Sequence, residues 1–340
     1  MLNTIYRLVA PRKFEIMFSD ISLNTNKVIV RPTHLSICHA DQRYYQGKRD
    51  AKVLAKKLPM ALIHEAVGKV VYDASGQFKA GERVVMIPNT PIEHDGVIAE
   101  NYLRSSKFRA SGFDGFMQEY VELDADRLVR VPENLDDHIA AFTEIISVSV
   151  HALLRFDRFA HQRRNVVGIW GDGNLGYITA ILFKALYPDI KLYVFGVNED
   201  KLADFSFVEK TCLVSEIPED MMVDHAVECV GGEGSQKAID QIIDHINPEG
   251  TIALLGVSEY PVPINTRMIL EKGLRLYGSS RSGRVDFLKT IEVYQNNPQV
   301  VDNLANLAAN IIRVKNLDDI KRAFESDIHK SYGKTIMEWN

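Results

Sequence analysis

Four side chains in the first half of the chain could together hold a metal ion: Cys38, His64, Glu65 and Glu144. A thiolate, an imidazole and carboxylates are a donor mixture that suits zinc with one coordination position left open for catalysis. Further along lies Gly171-Asp172-Gly173-Asn174-Leu175-Gly176, a glycine turn of the kind that cradles phosphates. A Lewis acid and a nucleotide site in one chain point to hydride chemistry at a metal-polarised carbonyl. Each residue also has an ordinary reading: a buried free cysteine, a core histidine, a solvated glutamate, a turn that needs glycine only for backbone freedom. Glu144 weighs against the ordinary set. It sits inside Ala140-Ala-Phe-Thr-Glu-Ile-Ile146, an apolar helical run where an unpaired carboxylate is costly, so it must meet a cation or face water.

The elements around the turn are those its mechanism needs. Val166 to Trp170 reads as an apolar strand ending at the glycines, and Ile178, Ile181, Leu182 and Ala185 then recur at helical spacing until Pro188. Gly171 permits the tight turn, Gly173 lets the backbone approach a pyrophosphate, and Gly176 lets helix and strand pack closely. The helix N-terminus turns free N–H groups toward the phosphates. Further strands are expected over 192–195, 223–230, 251–257 and 274–279. A helix opened by Ser235 carries Ala238, Ile239, Ile242 and Ile246 on one face and ends at Asn247-Pro-Glu-Gly250. Strands alternating with helices imply right-handed crossovers and a parallel sheet. About 20 residues past the turn, where an NAD site usually carries an acid for the ribose 2′-hydroxyl, stands Gly196. Losing that carboxylate leaves room for a 2′-phosphate and favours NADP, with Asn198 and Lys201 as its candidate contacts. Glu199 and Asp200 argue the other way. The first third reads as short strands over 27–31, 66–72 and 83–87, followed by an aperiodic polar segment over 89–115.

Composition bounds the rest. A chain of 340 residues, 46% hydrophobic and 25% charged, is long enough for two domains and ordinary for a soluble globular protein. The net charge of −5 gives no general attraction for nucleic acid or an anionic membrane, so a phosphorylated substrate must find local Arg and Lys. The three cysteines, Cys38, Cys212 and Cys229, are far apart and form no CxxC pair, which fits a reducing, cytoplasmic setting. The first 18 residues lack the apolar core of a secretory signal, and the apolar stretch over 140–154 is too short to span a bilayer.

The runs Ser36-Ile-Cys38-His-Ala-Asp41 and Ile63-His64-Glu65-Ala-Val-Gly68, with the glycine turn, resemble the zinc-dependent medium-chain dehydrogenase/reductase family over nearly the whole chain. The resemblance implies an α/β protein: a GroES-like, mainly antiparallel β catalytic domain over 1–147 and 279–340, and a doubly wound Rossmann domain over 148–278. It implies Cys38, His64, Glu65 and Glu144 as zinc ligands, Glu144 standing where the polyol-dehydrogenase branch replaces a cysteine. It also implies Tyr44 and Arg281 as substrate contacts; separately, Arg43, Lys48 and Arg49 form a basic cluster just after the Cys38 loop, a pattern more often a solvated face than a phosphate clamp. The runs Tyr6–Arg12, Gly168–Ile178, Leu254–Glu259 and Gly278–Gly283 resemble the branch that reduces ribulose 5-phosphate with NADPH. Its product, ribitol 5-phosphate, feeds CDP-ribitol synthesis for teichoic acids or capsules. A functional pairing with a ribitol-5-phosphate cytidylyltransferase and a homodimer follow as expectations. Two departures stand out. The four-cysteine lobe of many relatives has no cysteines here, so a single, catalytic zinc is expected. Ala40 stands where the family often has Ser or Thr, so the proton is expected through water, assisted by Tyr44 or Glu65. The competing readings are a polyol dehydrogenase acting on an unphosphorylated sugar alcohol and a non-catalytic NADPH-binding protein.

Overall fold

The computed structural model describes residues 1–23 and 25–339. Its contacts form two compact units, Met1–Ser147 with Ser282–Asn340, and Val148–Arg281, so Ser279 to Arg281 group with the second unit and not, as expected, with the first. In the first unit, a hairpin of Leu2–Ala10 and Lys13–Asp20 is extended by Met60–Ala61. Beside it a seven-stranded sheet runs Leu128–Arg130, Arg83–Met86, Glu65–Asp73, Val28–Ser36, Thr335–Trp339, Asn310–Val314, with Val121–Leu123 also paired to Val28–Ser36. All these pairs are antiparallel except Asn310–Val314 beside Thr335–Trp339. Leu8, Val30, Leu35, Leu62, Phe116 and Met337 are fully buried between them. Helix Leu317–His329, capped by the Asn316 side chain, adds Ile320, Ala323 and Phe324 at helical spacing.

The opening hairpin and the C-terminal elements were not legible. Strand Lys13–Asp20 buries only Phe14, so its sequence lacks the in–out alternation that marks a half-buried strand. The polar segment over 89–115 holds a ribbon, Asn89–Thr90 with Lys107–Phe108, and a short turn, Glu100–Tyr102. Glu100 organises that lobe: its carboxylate takes Arg127 at 2.7 Å and the backbone N–H of Arg284 at 2.8 Å.

The second unit is a parallel sheet of six strands in the order Lys210–Leu213, Lys191–Gly196, Val166–Trp170, Val223–Glu228, Ile246–Leu254, Arg275–Gly278. The strand order reverses between Val166–Trp170 and Val223–Glu228, which opens a crevice beyond their carboxyl ends, where ligands bind such sheets. Strand Lys210–Leu213 was missed because it is short and has no fully buried residue. Asn247 to Gly250 does not lie between helix and strand. Helix Ser235–His245 stops earlier, Ile246 belongs to the strand, and pairing passes from Val223↔Ile246 to His225↔Thr251 across a bulge. No helix among the described residues is long and apolar enough to cross a membrane.

One buried histidine makes this unit pH-sensitive. His225 is fully buried, accepts the Thr251 N–H at Nδ1 (3.1 Å) and lies 4.2 Å from the His161 ring. Burial, reinforced by His161, pushes its pKa down to about 4. A folded-state pKa below the unfolded value means that the unfolded chain binds the proton more readily. The stability contributed by neutral His225 is therefore present above pH ~6.5 and lost as pH falls toward 4. Between pH 7 and pH 5 this group should cost about 2 kcal/mol. Urea unfolding at the two pH values should show a drop that is smaller by that amount in His225→Gln; equal drops would remove His225 as a cause.

Candidate active site

Cys38 follows strand Val28–Ser36 and is the N-cap of helix His39–Tyr45, while His64 and Glu65 stand where the neighbouring strand Glu65–Asp73 begins. Ser36 pairs directly with Glu65, so sheet register alone brings the two segments together. The Cys38 sulfur, a His64 nitrogen and a Glu65 oxygen all lie within 4.8 Å of one another.

Asp41 fastens this arrangement. Its Oδ2 accepts the Cys38 N–H at 3.1 Å, its Oδ1 accepts the Ile63 N–H at 3.0 Å, and Oδ1 lies 3.6 Å from His64 Nδ1. Ile63, with φ 70°, is held in the left-handed region that a β-branched residue avoids, a strain of roughly 1–3 kcal/mol that the Asp41 bond helps sustain. A carboxylate on Nδ1 orients the ring and leaves Nε2 as the ligating nitrogen, the pattern of metal-bound histidines. Asp41 was quoted only as part of the Cys38 motif. Its position three residues after the helix N-cap is the signal that could have found it.

Glu65 is wholly buried and meets an equally buried Lys334, whose Nζ donates to Oε1 at 2.9 Å and lies 2.8 Å from Oε2. Oε2 has no aligned hydrogen-bond donor, so it retains capacity to ligate. Lys334 also had no sequence signal, for it sits alone at the start of an apolar strand. Burial opposes protonation of His64, but Asp41 and Cys38 outweigh it and hold its pKa well above the usual value. Glu144, in the first turn of helix Thr143–Phe159, is 6% exposed with Oε2 4.0 Å from His64 Nε2. It reaches the histidine without joining the mutual 4.8 Å group. Burial, with Glu65 adding to it, raises its pKa against the pull of His64. A thiol, an imidazole and two buried carboxylates, one with an oxygen that no aligned donor satisfies, fit a divalent cation of zinc's type. A second group, His34, His138 and Glu338, also converges, but Glu338 already pairs with Arg313 at 3.3 Å.

In the second unit the glycine turn has the geometry its sequence implied. Gly171 has φ 129°, and a Cβ at Gly176 would lie 1.9 Å from the Gly171 carbonyl oxygen. Gly173 caps helix Asn174–Leu186, with open space where its side chain would be; Leu175 lies in its first turn. Gly196 needs a different explanation from the one its sequence suggested. The room beside it is filled by Asp172, whose Oδ2 accepts the N–H groups of Val197 (2.7 Å) and Asn198 (2.9 Å). A Cβ at Gly196 would lie 2.6 Å from that oxygen, so the glycine makes way for Asp172. The Asn198 side chain accepts the Lys201 N–H at 3.0 Å and so caps a helical turn. Arg281 is held at φ 58° in the second unit; Arg43 and Tyr44 lie on the helix after Cys38 in the first.

Residues 24–133 match the alcohol dehydrogenase GroES-like domain and residues 200–296 the zinc-binding dehydrogenase domain. The chain belongs to the zinc-binding dehydrogenase family, the medium-chain dehydrogenase/reductases. Among its relatives is the ribulose-5-phosphate reductase of Bacillus spizizenii, 56% identical over 100% of this chain and 99% of that protein. Ribulose-5-phosphate reductase 1 of Staphylococcus aureus is 55% identical over the same shares. The solved structure of S. aureus TarJ in complex with NADPH aligns with a TM-score of 0.91 at 50% identity, covering 100% of both chains.

Proposed function

We propose that this protein reduces the C2 carbonyl of D-ribulose 5-phosphate to give D-ribitol 5-phosphate, using NADPH, and so supplies CDP-ribitol synthesis for teichoic acid or capsule. The observation that carries the reading is the Cys38–His64–Glu65 convergence, fastened by Asp41, in a chain alike from end to end to ribulose-5-phosphate reductases. Zinc held by Cys38, His64 and Glu65, with Glu144 in reach, would supply Lewis-acid polarisation of the carbonyl. NADPH at the Gly171–Gly176 turn would supply the hydride.

The chain's own residues do the rest. Asp41 keeps His64 turned so that Nε2 faces the cluster, and Lys334 holds Glu65 in place. Glu65, tied to that ammonium, is a poor carrier for the proton that the product hydroxyl needs. Tyr44 is the better candidate: its Oη accepts a hydrogen bond from Lys57 at 3.1 Å, which leaves its own O–H free to donate. Ala40 has no proton to give, so water completes the path. The backbone N–H groups at the start of helix Asn174–Leu186 receive the nucleotide phosphates. Asp172 fixes the end of the second strand, and Lys201, in the helical turn that Asn198 caps, is the cation this reading offers to the 2′-phosphate.

The reading extends to assembly and pathway. Strand Arg275–Gly278 is an edge of the six-stranded sheet, and pairing it across a two-fold axis would give the homodimer. The product is the substrate of a ribitol-5-phosphate cytidylyltransferase, the functional partner the reading implies. Initial rates of NADPH oxidation with D-ribulose 5-phosphate, D-ribulose and D-xylulose 5-phosphate test the activity. Ribulose 5-phosphate should be preferred, and a chelator should abolish the rate. Equal rates with ribulose would favour a polyol dehydrogenase, and no rate with any ketose a non-catalytic binder.

A further inference from the structure

The segment after the Cys38 loop is strongly cationic in a protein whose net charge is −5: Arg43, Lys48, Arg49, Lys52, Lys56 and Lys57 face one carboxylate, Asp50. Asp50 is engaged locally, accepting the Lys52 N–H to cap helix Ala51–Lys57. Most such runs are solvated faces. Lys57 is half-buried, as Arg43 and Arg49 are, and its ammonium is turned inward onto two side-chain oxygens. Its Nζ donates to Tyr44 Oη at 3.1 Å and to Ser111 Oγ at 2.8 Å. No carboxylate among the described residues pairs with it.

Two neutral oxygens orient an ammonium without neutralising it, and the third N–H remains available. The Arg49 guanidinium lies 4.8 Å from the Tyr44 ring centroid, so a second positive charge flanks the same tyrosine. The loop carrying Ser111 is held in left-handed backbone on both sides, at Ala110 (φ 56°) and Gly112 (φ 95°). A Cβ at Gly112 would lie 3.5 Å from the Lys57 stem. Both tethers trace back to the metal-capable cluster. Tyr44 is on the helix that Cys38 caps, and Phe108, three residues before Ser111, has its ring 5.5 Å from His64.

We propose that Lys57, oriented by Tyr44 and Ser111 and backed by Arg49, binds the phosphate of the substrate. The proposal rests on the reading of this chain as a reductase of a phosphorylated ketose, and it assigns the discrimination against unphosphorylated sugars to a residue the Cys38 motif does not contain. A preset cation with a free N–H and no counter-ion gains most from a doubly charged oxyanion.

Lys57→Met keeps the stem and removes the charge. The KM for D-ribulose 5-phosphate should rise about 10- to 100-fold, the worth of one charge-assisted hydrogen bond. The KM for NADPH should stay unchanged, the kcat/KM for D-ribulose should fall by a much smaller factor, through the lost bond to Tyr44 alone, and Lys57→Arg should recover most of the loss. Ser111→Ala, which removes one tether, should raise the same KM by a smaller factor, and it carries the test if Lys57→Met does not fold. Equal losses with both sugars would mark Lys57 as structural and overturn the proposal. Failure of the wild-type protein to reduce ribulose 5-phosphate would defeat the activity reading instead. Inorganic phosphate then decides the site: a thermal shift present in wild type and absent in Lys57→Met supports it, and no shift, or the same shift in both, overturns it.

Discussion

Cys38→Ala should lower kcat/KM for the ketose by about three orders of magnitude, because carbonyl polarisation is worth several kcal/mol and each 1.4 kcal/mol or so is tenfold. The substitution removes the only sulfur of the Cys38–His64–Glu65 group and leaves Asp41 bonded to Ile63, so the loops keep their anchor. Nucleotide affinity should therefore stay within a few-fold, as a fluorescence titration with NADPH would measure. Bound zinc, by elemental analysis, should fall from one per chain to well below it. Full activity with the ion gone would detach the chemistry from this cluster.

The second large effect is on stability. Lys334→Met leaves the Glu65 carboxylate, 0% exposed, without the cation that lies 2.8–2.9 Å from it. Removing one partner of a buried ion pair typically costs about 3–5 kcal/mol. Urea unfolding of chelator-treated protein should show that loss, and zinc should restore part of it by giving the carboxylate another positive neighbour. Combining the change with Glu65→Gln should also restore stability, since the stranded charge is then gone. A chelated single variant as stable as chelated wild type would mean that the carboxylate finds relief elsewhere.

The sequence made the nucleotide unit largely legible, and the reason is local. Val166 to Trp170 and the helix beyond the turn each carry their own periodicity, and Gly171 and Gly176 have a steric cause in the structure. The metal-capable trio was readable because its members are chemically unusual for their surroundings. The groups that hold the trio were harder to see. Lys334 is 269 residues from Glu65, and nothing in its own stretch of strand announces a buried ammonium. Lys57 meets Ser111 across 54 residues. Gly196 was read as a vacancy because sequence gives no sign that the Asp172 side chain turns back to fill it. Short-range patterns reveal elements and anomalous residues; partners contributed by distant segments emerge only from the folded backbone.

Asp41 also bears on what holds the metal-capable loops in register. One carboxylate links the Cys38 and Ile63 segments through main-chain bonds, so protein contacts, and not only a bound ion, set the spacing of the segments that carry Cys38 and His64. Any ion held there would need the receiving side chains deprotonated, so occupancy should fall as the pH is lowered.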